Sequence, residues 1–154
     1  MTLRHPVKLA EQEPFVDSYT SPFTKNPFDV STNEKLDLLM KICAELKKSD
    51  KIKKGEASMD FCRTTKSFLS TEGADIDQDI IESGAGFVAI AFDGKEVQKR
   101  SYPNSFSGDF ATRGYEFVEE MRLLDHTERI REEAIALLSA EPCPDTTATI
   151  VICG

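Results

Sequence analysis

Gly84-Ala85-Gly86-Phe87-Val88-Ala89-Ile90-Ala91-Phe92-Asp93-Gly94 decides the fold of this 154-residue chain, together with the return segment Glu96-Val97-Gln98-Lys99-Arg100-Ser101-Tyr102. Side chains alternate between the faces of a strand, so the unbroken apolar run Phe87 to Phe92 predicts a central strand covered on both sides. Asp93-Gly94 supplies the positive φ angles of a tight hairpin turn. In the return segment Val97, Lys99 and Ser101 share one face, and Glu96, Gln98, Arg100 and Tyr102 share the other. That half-polar pattern predicts a strand nearer solvent.

Upstream of the hairpin, Ala57 to Thr65 and then Lys66 to Thr71 predict two strands or one bent strand. Glu72-Gly73 marks a turn, and Ala74 to Ile81 leads back into the hairpin, so an antiparallel meander is the economical arrangement. Ser31-Thr32-Asn33-Glu34 is a capping box, a hydroxyl followed three residues later by a glutamate, and opens a helix ending near Lys47 to Asp50. Its apolar stripe reads as Leu36, Leu39, Met40, Cys43 and Leu46. Residues 1–30, with Pro6, Pro14, Pro22 and Pro27, predict an extended leader pinned to the domain by Phe15, Tyr19, Phe23 and Phe28.

Downstream, Pro103 to Phe110 has loop composition with two embedded aromatics, and is either an ordered cap or a binding loop. A short helix is expected through Tyr115 to Leu123. Asp125-His126-Thr127-Glu128 repeats the capping pattern ahead of a second long helix with Ile130, Ala134, Leu137 and Leu138 on one stripe. Ala148 to Cys153 reads as a buried strand. The fold class is therefore α+β, a mostly antiparallel twisted sheet with two main helices packed on it, with residues 31–154 as the domain after the leader. An apolar strand running to Gly154 predicts that the domain is part of a larger protein.

Composition narrows the function classes. No stretch approaches the roughly 18 apolar residues of a membrane span, and Met1 to Pro6 has no signal core, so a cytoplasmic protein without membrane contact is expected. A net charge of −8 repels phosphate and argues against direct binding of nucleic acid. The four cysteines have no C-x-x-C spacing and read as buried thiols in a reducing compartment. His5 and His126 are the only histidines, which makes a zinc site complete within these residues improbable.

The chemical candidates are few. Gly84-Ala85-Gly86-Phe87-Val88-Ala89 has the letters of a dinucleotide fingerprint, but its glycines precede a strand instead of joining a strand to a helix N-terminus. Glycines here allow a bulge or close backbone packing. Glu119-Glu120 and Glu132-Glu133 are adjacent on helices and point apart, and Ser70 and Ser107 sit in no nucleophile motif, so no catalytic residue is assigned. Arg113-Gly114-Tyr115-Glu116 places a cation, an amphipathic ring and an anion at a loop-to-helix junction. It would hold a partner's backbone or carboxylate, or else close internally as an ion pair with a packed tyrosine.

Several stretches match one pattern in order. Lys25-Asn26-Pro27-Phe28-Asp29-Val30-Ser31-Thr32-Asn33-Glu34-Lys35-Leu36 resembles the Pro-Phe, spacer, Glu-Lys-Ile/Leu opening of a helix in the TldD/PmbA family, described as DNA gyrase modulators and zinc metalloproteases. Ser70-Thr71-Glu72-Gly73 resembles that family's Asn/Thr-x-x-Gly strand end, and Arg113-Gly114-Tyr115-Glu116-Phe117 its Arg-x-Gly-Tyr-Glu segment. The helix over 125–140 leading to Ala148-Ile150-Val151 resembles its Ala-rich helix and Val-Val-Leu strand. The match spans about residues 20–154.

The resemblance implies proteolysis of small or unfolded peptides, assembly as a homo-oligomer or a TldD–TldE heteromer, and zinc held by an H-E-x-x-x-H helix with a distant cysteine. That motif is absent from these residues, so no catalytic or metal residue is carried over and zinc is expected only in the full-length family protein. The reading is a non-catalytic portion of such an enzyme that contributes substrate cleft and subunit assembly, whose peptide partner adds as a strand beside Val97 and Lys99 and engages Arg113, Tyr115 and Glu116. The competing class is a standalone adaptor that binds protein through the same surface.

Overall fold

The decisive stretch lies in the C-terminal half of one 18-residue strand that every other strand pairs with. The computed structural model describes residues 10, 13–143 and 145–152. In chain order the elements are β1 (Val16–Thr20), α1 (Thr32–Leu46), β2 (Ile52–Leu69), β3 (Asp75–Phe92), β4 (Val97–Tyr102), β5 (Asp109–Ala111), α2 (Glu116–Glu120), a 3₁₀ turn (Leu123–His126) and α3 (Thr127–Leu137). One edge of β3 pairs antiparallel with β2 from Leu69↔Asp75 to Ile52↔Ala91. The other edge takes three strands in succession: β1 in parallel at Asp75–Asp79, β5 at Ser83–Ala85 and β4 at Phe87–Phe92, the last two antiparallel.

The segments expected on either side of Gly73 are each one unbroken strand, and with β4 they form the expected antiparallel meander. Gly73 has φ 94°, open to glycine at no steric cost. Around it the Ser70 hydroxyl accepts the amides of Glu72 and Ala74, both at 3.2 Å. A turn this well satisfied lets pairing continue away from it without a break.

On one face of β3, Ala85, Phe87, Ala89 and Ala91 build the core with Ile42 and Leu46 of α1, Val118 of α2, and Ile130 and Ala134 of α3. On the other face Gly84 lies under Phe110 of β5, Gly86 lies under the loop at Ser107 and Gly108, and Val88 is buried, while Ile90 and Phe92 are half-buried. The cover expected on both sides of the run is therefore complete at its start and partial at its end. The Ser31 hydroxyl caps α1 by accepting the Glu34 amide at 3.2 Å. The expected stripe is rotated, however. Ile42 and Leu46 are buried with Leu38 packed against them, while Leu36 is exposed and Met40 is 69% exposed. The helix carries two overlapping apolar ladders about 100° apart that share Leu46, which comes down on the sheet at Gly55 of β2; Ile42 and Leu38 turn inward with it in place of Leu36 and Met40.

Three further expectations are corrected. The leader aromatics Phe15, Tyr19, Phe23 and Phe28 are exposed; the leader is held instead by β1 and by Ser21, whose amide donates to Asp79 O and whose hydroxyl accepts the Ile81 amide. Buried backbone amides need partners, and Ser21 supplies one where β1 ends. His5 and Pro6 lie outside the described residues. Ala148–Ile152 forms no strand and Ile152 is 88% exposed, because no sheet edge takes up its amides; Cys153 lies outside the described residues. Cys43 is half-buried and Cys62 exposed, since strand alternation turns Cys62 away from the core face. Among the described residues no helix is long and apolar enough to cross a membrane.

Candidate binding edge

β4 pairs with β3 along one side only, and among the described residues no strand takes its other side. A strand in that position presents a row of backbone donors and acceptors. Val97, opposite Phe92, and Lys99, opposite Ile90, stand on the face away from the helices, with Val97 61% exposed. A cleft of about 190 Å³ opens at Lys99, with Ser101, Asn104 and Arg129 also on its walls; Val97 lies outside it.

The opposite face of β4 is fixed by α3. Arg100 donates from Nε and Nη2 to Glu133 Oε2 at 2.9 and 2.7 Å, and Arg129 Nη1 donates to Glu133 Oε1 at 2.7 Å. His126 stacks on the Tyr102 ring at 4.0 Å, and the Tyr102 hydroxyl donates to Met121 O at 3.1 Å. His126 is thereby a packing residue at the start of α3, where its side chain makes no cap. The Arg100 hydrogen bonds, reinforced by Arg129, hold the Glu133 carboxyl below its ordinary value.

A pH dependence follows from that depression. A carboxylate whose folded pKa lies below its unfolded one stabilises the fold above the unfolded value, and this contribution disappears as pH falls through the folded value. Glu133→Gln is therefore expected to cost about 1 kcal/mol at neutral pH, with solvent screening of a part-exposed pair included, and nothing once pH is well below about 4. Urea unfolding of both proteins across that range checks it; a constant difference at all pH values would contradict the ion pair's role.

The second predicted group sits elsewhere. Arg113 donates from both Nη atoms to Glu120, at 2.7 and 2.6 Å. Glu116 accepts the Gly114 amide and the Lys25 amide, each at 3.0 Å, and the Tyr115 amide donates to Lys25 O at 2.8 Å. Lys25 Nζ in turn reaches Glu119 Oε1 at 2.6 Å. Burial opposes ionisation of Glu116, but amides of Glu116 itself, Lys25, Gly114 and Thr24 outweigh it and hold the carboxyl low. Of the two readings of this cluster, the geometry is that of the internal one, and what it fastens is the leader at Phe23 to Lys25. Tyr115 packs toward Phe61 on the helix side of the sheet, opposite to Val97 and Lys99, so the two predicted groups do not converge.

Sequence reasoning missed the Arg100–Glu133–Arg129 network: the Arg129–Glu133 half is an i,i+4 helix pair that the sequence offered, but Arg100 lies 33 residues from Glu133 and no local pattern links those two. Among the described residues no three of His, Cys, Asp and Glu come close enough to hold a metal ion. The residues present do not fit the zinc site that the resemblance implies, and no step is derived through one.

A family model described as the PmbA/TldA metallopeptidase central domain matches residues 25–138. Among solved structures, that of a Thermotoga maritima protein described as a candidate modulator of a DNA gyrase is similar, with a TM-score of 0.62 and 20% identity. The match covers 79% of this chain and 26% of that one, so the chain spans about a quarter of that relative's length. At this identity the likeness concerns the fold. No curated protein matches the chain in sequence.

Proposed function

Because the chain belongs to the PmbA/TldD metallopeptidase family, matching its central domain, we propose that it lines the peptide cleft of a cytoplasmic enzyme of that kind without supplying catalytic groups. The observation that carries this is the open outer side of β4. An extended peptide that adds there gains main-chain hydrogen bonds whatever its sequence, which suits an enzyme that handles small or unfolded peptides. The side chains at Val97 and Lys99 then meet alternate residues of the peptide. Assembly with a second subunit, either its own kind or of the TldD–TldE type, belongs to the same proposal, and the outer side of the 18-residue β2, which no strand among the described residues takes, supports it. The net charge of −8 places nucleic acid outside it.

The test uses an extended peptide and the same peptide with alternate backbone nitrogens methylated. Binding of the first to the chain, and a loss of tenfold or more for the second, about 1.4 kcal/mol or greater, is the expected result. Val97→Pro and Lys99→Pro are expected to weaken binding likewise. Equal affinity for both peptides would remove strand addition from the proposal.

A further inference from the structure

Tyr115 is 3% exposed, yet its hydroxyl has no hydrogen-bond partner among the described residues. Among the described residues the one fully enclosed side-chain oxygen without a partner is Ser83 Oγ, so the little surface that Tyr115 keeps includes its hydroxyl. That surface opens into a cleft of about 520 Å³ between the first turns of α1 and α2, which Tyr115 lines together with Glu34, Asp37 and Glu119. The hydroxyl is thus the part of Tyr115 that meets the cleft, and with no protein group on it, it is open to an incoming donor.

The charges around it are unequal in their pairing. Glu119 and Glu34 share Lys25, at 2.6 and 3.8 Å. Among the described residues, Asp37, one turn beyond Glu34 on α1, has no cation paired with it, and Lys41 one turn further makes no ion pair with it. Between the acids and the tyrosine, Leu38 and Leu124 give the cleft an apolar wall. Long basic side chains need that combination, an apolar surface for the methylene stem and an acceptor for the charged head.

We propose that this cleft is a binding site for a lysine or arginine side chain, its stem along Leu38 and Leu124 and its cationic head between the Asp37 carboxylate and the Tyr115 hydroxyl. The ammonium or guanidinium donates to both oxygens, and the phenol acts as acceptor. Burial and the neighbouring Glu34 hold the Tyr115 phenol above its ordinary pKa, so it stays protonated and neutral beside the incoming cation. The site does not rest on the β4 edge. Tyr115 faces the helix side of the sheet, so either site is able to fail without the other.

The experiment is amide-resolved NMR titration of the chain with Nα-acetyl-arginine amide and Nα-acetyl-lysine amide, beside the norleucine and glutamate amides. Free agmatine distinguishes a head-group site from one that needs the peptide backbone. Saturable shifts at Asp37, Lys41 and Tyr115 for the basic amides alone are expected. Asp37→Asn is expected to weaken them about tenfold. Tyr115→Phe, which keeps the ring, is expected to weaken them several-fold with the melting temperature unchanged or raised. Shifts of equal size with norleucine amide, no saturable shift with either basic amide, or unchanged affinity in Asp37→Asn would each overturn the proposal.

Discussion

Gly86→Ala is expected to destabilise the chain by about 3 kcal/mol, a fall in melting temperature of roughly 6–12 °C, and to free the loop before β5. A Cβ at Gly86 would overlap the Ser107 carbonyl oxygen and lie 2.5 Å from Gly108 Cα. Both are backbone atoms, which no rotamer moves aside. Ser107 already holds φ 72° to bring the loop down onto the strand, so the loop has little freedom to yield. Gly84→Ala provides the contrast. The three atoms that its Cβ would meet first all belong to the ring of Phe110, which is exposed and free to swing out, so the expected cost is about 1 kcal/mol. Thermal unfolding of the two variants, with limited proteolysis at residues 103–108, checks both halves; equal destabilisation would show that the loop does not rest on Gly86.

Glu116→Ala is expected to cost a similar amount, about 3 kcal/mol, by removing the acceptor for the Gly114 and Lys25 amides. The loss is large because charge-assisted hydrogen bonds are involved and because Gly114 is buried where water cannot replace them. A Cβ at Gly114 would approach Phe23 Cβ to 2.8 Å, which shows how closely the leader lies there. Glu116→Gln keeps one acceptor oxygen and is expected to lose about half as much. Denaturant unfolding gives the magnitudes, and faster amide exchange at Lys25 and Tyr115 would locate the damage. A neutral Glu116→Ala would mean that the leader is held by β1 and Ser21 alone.

The parts of the fold legible in the sequence were those specified by neighbours in the chain. The run Phe87 to Phe92, the turn at Asp93-Gly94 and the Ser31 cap each depend on a few adjacent residues, and each forms as read. The face of α1 was only half legible, because its apolar residues fit two ladders that share Leu46, and which of the two turns inward depends on the sheet and helices that α1 packs against. The same holds for the strand expected at Ala148–Ile152, since β propensity alone does not supply an edge to pair with. The internal closure of Arg113 and Glu116 followed from residue types as one of two readings, but the partner at Lys25 lay 91 residues from Glu116. Tyr115 illustrates the limit further: its backbone belongs to the clamp and its hydroxyl to a cleft, a division that only coordinates reveal.

The β2–β3 hairpin also gives the molecule a direction in time. Every rung from Leu69↔Asp75 to Ile52↔Ala91 closes a loop only slightly longer than the one before, so the ribbon forms like a zipper from the Gly73 turn with little entropy lost at any step. Yet its turn end, with Lys66 to Leu69 exposed, carries almost none of the core, while the far end carries Phe87 and the helices. The end best placed to nucleate is therefore the end least able to hold, and the ribbon stays closed only once the helices arrive at its other end. In the finished protein the order reverses, and the arm that closes first is the part free to open and reclose without disturbing the core.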